Sequence, residues 1–119
     1  MNHSDIEAER LRVYTTETAR HEGRPLFEWL IAQALGAGLA GATATKGLAG
    51  FGHHRKLHHA HLLDISDELP VIVEIIDTPQ RIDALLTAAA EALGDHTYTR
   101  EPVRLHRHPD PGDQAGKVK

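Results

Sequence analysis

Apolar residues recur along the chain with two different periods, and the change of period predicts where helices and strands lie. Leu11, Val13 and Thr15 alternate with more polar residues, as in a half-buried strand. Downstream, one stripe of an amphipathic helix is formed by Phe27, Leu30, Ile31, Ala34 and Leu35. The predicted elements are strands over 11–16, 40–48, 71–76 and 97–107, the last interrupted at Pro102, and helices over 25–35 and 79–93.

This order of elements is that of the ferredoxin-like βαββαβ fold. We therefore expect an α+β domain, with an antiparallel four-stranded sheet, two helices on one face and a long loop after strand 2. The first and third strands are central in this fold, and the strands around Val13 and Val73 are the most apolar. The second and fourth strands would be edges, which suits their polar content and Pro102.

Two helices can cover only one face of such a sheet. Ile72 and Ile76 would point away from the helices, opposite to Val71, Val73 and Ile75, because side chains alternate along a strand. An apolar set that no helix covers predicts self-association through the open face of the sheet.

Composition limits the class of protein further. The chain has 119 residues, a net charge of −4 and no cysteine, which excludes disulfides and Cys-based zinc sites and gives no reason to expect nucleic-acid binding. No apolar run approaches the ~20 residues of a membrane span, and we expect a cytoplasmic protein. We assign residues 1–9 to a flexible N-terminus, 10–108 to one folded domain and 109–119 to a disordered tail.

The segment after the second strand has the composition of a functional loop, with glycines, cations, an aromatic residue and five histidines. Backbone N–H groups of its glycines could approach an anion, and cations there and on the last strand could add charge. The candidate ligand-binding residues are Lys46, Gly47, Gly50, Phe51, Gly52, Arg55, Arg104 and Arg107. The alternative is that the glycines only let the chain turn and that the cations are solvated.

The histidines of this loop suggest a second kind of site. His59 and His61 would share one face of a strand, an arrangement that binds divalent Zn, Ni or Cu through imidazole nitrogens, and His58 could complete the site. Repulsion between protonated histidines could instead make the loop a pH switch. Solvated loop histidines are the third interpretation.

No catalytic set is visible in the sequence. Ser4 and Ser66 are its only serines, and neither has a plausible neighbouring base. Glu17, His21 and Glu28 do not form a convincing acid–base pair, because Glu28 suits the first turn of a helix. We expect a protein that is not an enzyme and requires no cofactor.

Several short motifs resemble the PII signalling superfamily: Lys46-Gly47, Gly50-Phe51-Gly52, and Leu69-Pro70 leading into the strand up to Asp77. The front half resembles an uncharacterised PII-like branch. The residues that carry this second resemblance are Leu11-Arg12-Val13-Tyr14, Glu17, Gly23-Arg24-Pro25-Leu26-Phe27-Glu28 and Ala37-Gly38-Leu39-Ala40-Gly41-Ala42-Thr43.

The resemblance implies a homotrimer that binds a small anionic ligand, often an adenine nucleotide, in clefts between subunits. The mobile T-loop of the superfamily corresponds to residues 50–62, and it would regulate a partner protein such as a membrane transporter or channel. The segment Leu93-Gly94-Asp95-His96-Thr97-Tyr98 lacks the second glycine and the lysine of the PII phosphate loop. ATP-specific binding is therefore not implied: the candidate ligands are AMP, ADP or ATP, another small anion, or no nucleotide at all.

Overall fold

The computed structural model describes residues 5–52, 58–59 and 68–109, with His58 and His59 described by their backbone. Four strands form one sheet: β1 (Ile6–Thr16), β2 (Gly41–Lys46), β3 (Pro70–Asp77) and β4 (Thr97–Leu105). The helices are α1 (Leu26–Gly36), α2 (Pro79–Ala88) and α3 (Ala90–Leu93). The strand order is β2-β3-β1-β4, and every neighbouring pair is antiparallel. The predicted ferredoxin-like fold, with β1 and β3 central, is confirmed.

The core lies between the helices and one face of the sheet. Alternate residues of β3 are buried, which follows from the period of two in a strand. The largest side chains with at most 1% exposure are Leu11, Val13, Leu26, Leu30, Val73, Ile75 and Ile82. Burial of these aliphatic side chains against one another is the main stabilising contribution to the fold.

None of the described helices covers the other face of the sheet. Ile72, Glu74 and Ile76 are half-buried there, which confirms the predicted direction of the two isoleucines. The Arg12 guanidinium donates to the Glu74 carboxylate at 3.2 Å on this face. Self-association through this face stays a prediction.

Two element boundaries differ from the sequence prediction. Strand β1 begins at Ile6, so residues 6–9, assigned above to a flexible N-terminus, belong to the sheet, where Ile6 lies opposite Leu105. Strand β4 continues through Pro102 without interruption. Because β4 is an edge strand, a residue that lacks an N–H costs no hydrogen bond on the outer side. The predicted tail lies outside the described residues from position 110 onward.

Two short ribbons lie outside the main sheet. Ala49–Gly50 pairs with His58–His59, and Arg20–His21 pairs with Arg24–Pro25. The second ribbon has no apolar alternation and was not predicted. Its tight turn places Glu22 at φ +53 and Gly23 at φ +79, the left-handed region that glycine adopts without strain.

This ribbon packs against the start of α1 through the single tryptophan. Trp29 is 7% exposed, and its Nε1–H donates to Glu22 Oε1 at 3.2 Å. The His21 ring meets the Trp29 ring edge-on, with centroids 4.6 Å apart. The carboxylate of Glu22 therefore ties the turn to the helix.

A buried carboxylate fixes the end of β3. Asp77, 4% exposed, accepts hydrogen bonds from the backbone N–H groups of Ala40 at 2.8 Å and Thr78 at 2.6 Å. The Arg81 guanidinium lies 3.6 Å from Asp77 and donates to the Ala37 carbonyl at 2.6 Å. These contacts hold the α1–β2 connection against the start of α2. Thr78 caps the N-terminus of α2, because its Oγ1 accepts from the Arg81 N–H at 3.4 Å.

The described helices are all too short or too polar to cross a membrane.

Candidate ligand-binding site

A cavity of about 470 Å³ opens at the end of the sheet where β1 and β2 finish and β3 and β4 begin. Its volume lies within the range of small-molecule pockets. The sheet contributes Tyr14, Thr15, Thr16, Pro70, Val71, Ile72 and Thr97. The remaining wall comes from Gly47, Ala49, Gly50, Phe51 and Gly52 on the outgoing chain, from Glu68 on the returning chain, and from Asp95 and His96 before β4.

Two of the predicted glycines allow the outgoing chain to pass close to Pro70. A Cβ atom on Gly47 would lie 3.0 Å from Pro70 Cγ, and one on Gly50 would lie 3.5 Å from it. The Gly47 N–H also donates to the Pro70 carbonyl at 2.7 Å. At Gly52, no atom of the described residues lies within 4 Å of such a Cβ. Close packing therefore explains Gly47, whereas it does not explain Gly52.

His96 is held rigidly at the cavity by both ring nitrogens. Its Nδ1 lies 2.7 Å from the Leu93 carbonyl and its Nε2 lies 3.0 Å from Thr15 Oγ1. A carbonyl only accepts, so Nδ1 carries a proton, and in the neutral ring Nε2 accepts from the Thr15 hydroxyl. Sequence reasoning missed this pair. The only signal is a threonine at a buried position of β1, where it is 6% exposed.

The charge of the cavity lining is acidic. Among the described residues that line it are two carboxylates, Glu68 and Asp95, and the imidazole of His96. No lysine or arginine belongs to this described lining. An anionic ligand must therefore find its positive charge just outside these walls.

Lys46, predicted as a ligand-binding cation, is paired with Glu17. Lys46 Nζ lies 2.9 Å from Glu17 Oε2, and Glu17 Oε1 accepts from the Leu69 N–H at 3.2 Å. The Glu17 N–H in turn donates to the Leu69 carbonyl at 3.0 Å. The hydrogen bond from Lys46, and after it the one from Leu69, lowers the pKa of Glu17 below its ordinary value. The ionised form of Glu17 is thus favoured.

The other predicted ligand residues fall into two groups. Phe51 lines the cavity and remains 59% exposed. Arg104 lies near the far end of β4, where its guanidinium is 3.5 Å from Glu7, and Arg107 follows the end of that strand. One subunit therefore does not bring these two arginines to its own cavity. Arg55 lies outside the described residues.

The histidine site is only partly described. The backbones of His58 and His59 pair with Gly50 and Ala49, respectively. His61 lies outside the described residues. The remaining described side chains contain no group of three metal-binding residues in reach of one ion. The metal site at His58, His59 and His61 stays a prediction.

Solved structures with the same fold are PII-like proteins. CPII from Thiomonas intermedia K12, bound to ADP and bicarbonate, matches with a TM-score of 0.63 at 17% identity, covering 87% of this chain and 92% of that chain. The PII-like protein TTHA0516 from Thermus thermophilus matches with a TM-score of 0.62 at 15% identity, covering 96% of this chain and 98% of that chain. At these identities the likeness shows the fold alone.

Sequence comparison gives the family. Residues 8–105 match the family described as "DUF190: Uncharacterized ACR, COG1993", and the chain belongs to this family. A UPF0166 protein of Aquifex aeolicus (strain VF5) is 35% identical over 102 residues, covering 84% of this chain and 94% of that protein. The UPF0166 protein MJ1524 of Methanocaldococcus jannaschii is 30% identical over 88 residues, covering 74% and 81% of the two chains. The resemblance is confirmed for the fold, which the chain shares with PII-like proteins, and the family to which the chain belongs is an uncharacterised one.

Proposed function

We propose that this protein is a PII-like ligand sensor that binds an adenine nucleotide in the cavity at the end of the sheet. Loop 50–62, which starts in the cavity wall, would then pass the bound state to a partner protein such as a transporter. The observation that carries the proposal is the position of the cavity. Its wall includes Gly47 and the segment from Ala49 to Gly52, so a ligand there contacts the start of the loop directly.

The chemistry of the lining suits a nucleotide. Phe51 offers an exposed aromatic face, on which a nucleobase can stack. The carboxylates of Glu68 and Asp95 can accept hydrogen bonds from ribose hydroxyls or an exocyclic amine. The segment from Gly50 to Gly52 can bring backbone N–H groups close to a phosphate. The binding of ADP and bicarbonate by CPII, which has the same fold, is further support.

The positive charge that a phosphate needs would come from beside the cavity and from a second subunit. Lys46 directly precedes Gly47 in the cavity wall. Arg104 and Arg107, which lie at the other end of their own subunit, would reach the cavity of a neighbour in a homotrimer. The open face of the sheet, with Tyr14 37% exposed beside half-buried Ile72, supplies the uncovered surface for that assembly.

The proposal predicts binding without turnover, and thermal unfolding tests the binding. A ligand that binds only the folded state at a hundredfold excess over its Kd stabilises by about 2.7 kcal/mol, which raises the melting temperature. ADP, AMP, ATP and bicarbonate form the first panel, and analysis of the nucleotide after incubation checks that it is unchanged. A nucleotide that raises the melting temperature supports the proposal, and no shift with any of them contradicts it.

A matched pair of variants locates the site. Phe51→Ala removes the stacking face, and loss of one base–aromatic stack costs about 1–3 kcal/mol, so we expect at least fivefold weaker ADP binding by calorimetry. Leu48→Ala is the control, because Leu48 is 83% exposed and does not line the cavity. Equal affinity of the two variants would place the nucleotide elsewhere.

A further inference from the structure

Three residues on three neighbouring strands form a row that leads into the cavity. Val71 on β3 lies opposite Thr15 of β1 on one side and opposite Lys46 of β2 on the other. Residues that lie directly opposite each other share a face of the sheet. Thr15 and Val71 line the cavity, so Lys46 is the next position in a row whose first two members form its wall.

The Lys46 side chain is long enough to reach the cavity. Neighbouring strands lie about 4.8 Å apart, and the lysine ammonium sits on a flexible four-carbon stem. The residue after Lys46 is Gly47, which also belongs to the cavity wall. A stem of this length can span the distance from Lys46 to the position of Val71, which lines the cavity.

The Lys46 ammonium is already occupied by a carboxylate of the same chain. Glu17 Oε2 lies 2.9 Å from Lys46 Nζ, while its other oxygen accepts from the Leu69 N–H at 3.2 Å. Glu17 is therefore fixed by the backbone of the returning chain and does not simply follow the lysine. The Lys46 side chain is 57% exposed and that of Glu17 is 29% exposed, so water reaches the pair. An ion pair that solvent reaches is weak enough to exchange.

We propose that Glu17 is an internal competitor for Lys46, and that it sets how strongly the cavity binds anions. An incoming phosphate or bicarbonate group gains Lys46 only by displacing this carboxylate. A ligand without negative charge gains nothing from Lys46 and does not meet the competitor. Glu17 thus acts as a positioning residue through Lys46 and tunes charge specificity. This inference rests on the proposed function of the cavity.

Glu17→Gln separates the charge of Glu17 from its hydrogen bond. The amide oxygen still accepts from the Leu69 N–H, whereas the attraction for Lys46 is lost. We expect ADP to bind about two- to fivefold more tightly, which corresponds to the strength of an exposed ion pair, and adenosine to bind as in the unsubstituted protein. Glu28→Gln is the matched control, because it removes the same charge from an exposed position on α1.

A double-mutant cycle tests whether the effect runs through Lys46. Lys46→Gln should weaken ADP binding, and Glu17→Gln should have no further effect in that background. A tighter complex that persists without Lys46 would mean a general field effect and would overturn the inference. So would a lower melting temperature of Glu17→Gln with unchanged ADP affinity, because Glu17 would then be structural.

The remaining outcomes separate this inference from the proposed function. If Glu17→Gln binds ADP with unchanged affinity, the inference about Glu17 is overturned but the proposed function is not. A complete absence of ADP binding in every variant overturns both. If Glu17→Gln does not fold, Glu17→Asp keeps the charge on a side chain one methylene shorter, and its weaker grip on Lys46 should still tighten ADP binding over the unsubstituted protein.

Discussion

Two carboxylates lie where two central strands end, at opposite ends of the sheet, and they have different roles. Asp77 ends β3 and is 4% exposed, with two backbone N–H groups as donors. Glu17 follows β1 with its side chain 29% exposed and divides its oxygens between a backbone N–H and the ammonium of Lys46. Each ties together segments that are distant in the sequence.

The difference lies in what could replace each interaction. Water cannot easily reach Asp77, so its donors would be left unsatisfied if the carboxylate were removed. At Glu17, solvent or an anion can take over the partner. One end of the sheet is therefore fixed, whereas the other, which contains the cavity, can exchange partners at little cost.

Asp77→Ala should have the largest effect on stability. It leaves the N–H groups of Ala40 and Thr78 without an acceptor, which we expect to cost about 2–4 kcal/mol in the free energy of unfolding. Asp83→Ala, on the following helix α2, is the matched control, since its carboxylate is 65% exposed and pairs with Arg100. The free energy of unfolding should fall by less than about 1 kcal/mol in Asp83→Ala. Denaturant unfolding at one protein concentration measures the stability of both variants. Equal losses of stability would show that the buried carboxylate of Asp77 does not fix its end of the sheet.

Gly47→Ala should have a smaller effect, confined to the cavity end. The new methyl group would lie 3.0 Å from Pro70 Cγ, so the proline ring or the outgoing chain must shift, at about 1 kcal/mol. Gly52→Ala is its control, because no atom in the described part of the chain lies within 4 Å of the added methyl group. If Gly47→Ala lowers the melting temperature and Gly52→Ala does not, close packing at the cavity end is specific to Gly47. Similar melting temperatures for the two variants would show that close approach to Pro70 is unimportant.

The pH dependence of stability should show the smallest effect. Folding lowers the pKa of Glu17 from its ordinary 4.5, because the Lys46 and Leu69 hydrogen bonds favour the ionised form. The stabilisation is therefore complete above pH 4.5 and is lost as the pH falls through the lowered pKa of the folded state. Unfolding free energies between neutral and acidic pH should change slightly less steeply with pH for Glu17→Gln than for the unsubstituted protein. Identical slopes would mean that the ion pair does not persist in solution.

The sequence predicted the fold well because the core obeys simple periods. The buried residues of β3 lie where alternation placed them. The stripe predicted for α1 is only partly right: Leu30 and Ala34 are buried, but Leu35 is 78% exposed, and the burial of Leu26 and Trp29 was missed. The start of β1 was missed because Glu7 and Glu9 look like a polar terminus until they lie opposite Arg104 and Pro102 of β4. Such a pairing depends on a strand almost a hundred residues away in the chain, as the separation of 97 between Arg104 and Glu7 shows.

The site was predictable only where it is local in sequence. The glycines and Phe51 were found because they form one unusual segment, and they do line the cavity. His96 joins Thr15 across 81 residues of sequence. Glu17 meets Lys46 because β1 and β2, which lie on either side of β3, finish at the same end of the sheet. Strand direction also separates Arg104 from the cavity, since seven residues of extended chain from Thr97 span roughly 23 Å.

Trp29 gives the protein a built-in optical reporter whose location decides how its signal is interpreted. It is the only tryptophan, and its indole packs between the core and the turn that carries Glu22, without lining the cavity. Its emission would thus report on the helix-covered layer and on the Arg20–Pro25 ribbon. Quenching or a spectral shift on addition of a nucleotide would mean that occupancy at the sheet end is transmitted into that layer. A silent tryptophan alongside measurable binding would mean that the helical layer stays optically unchanged.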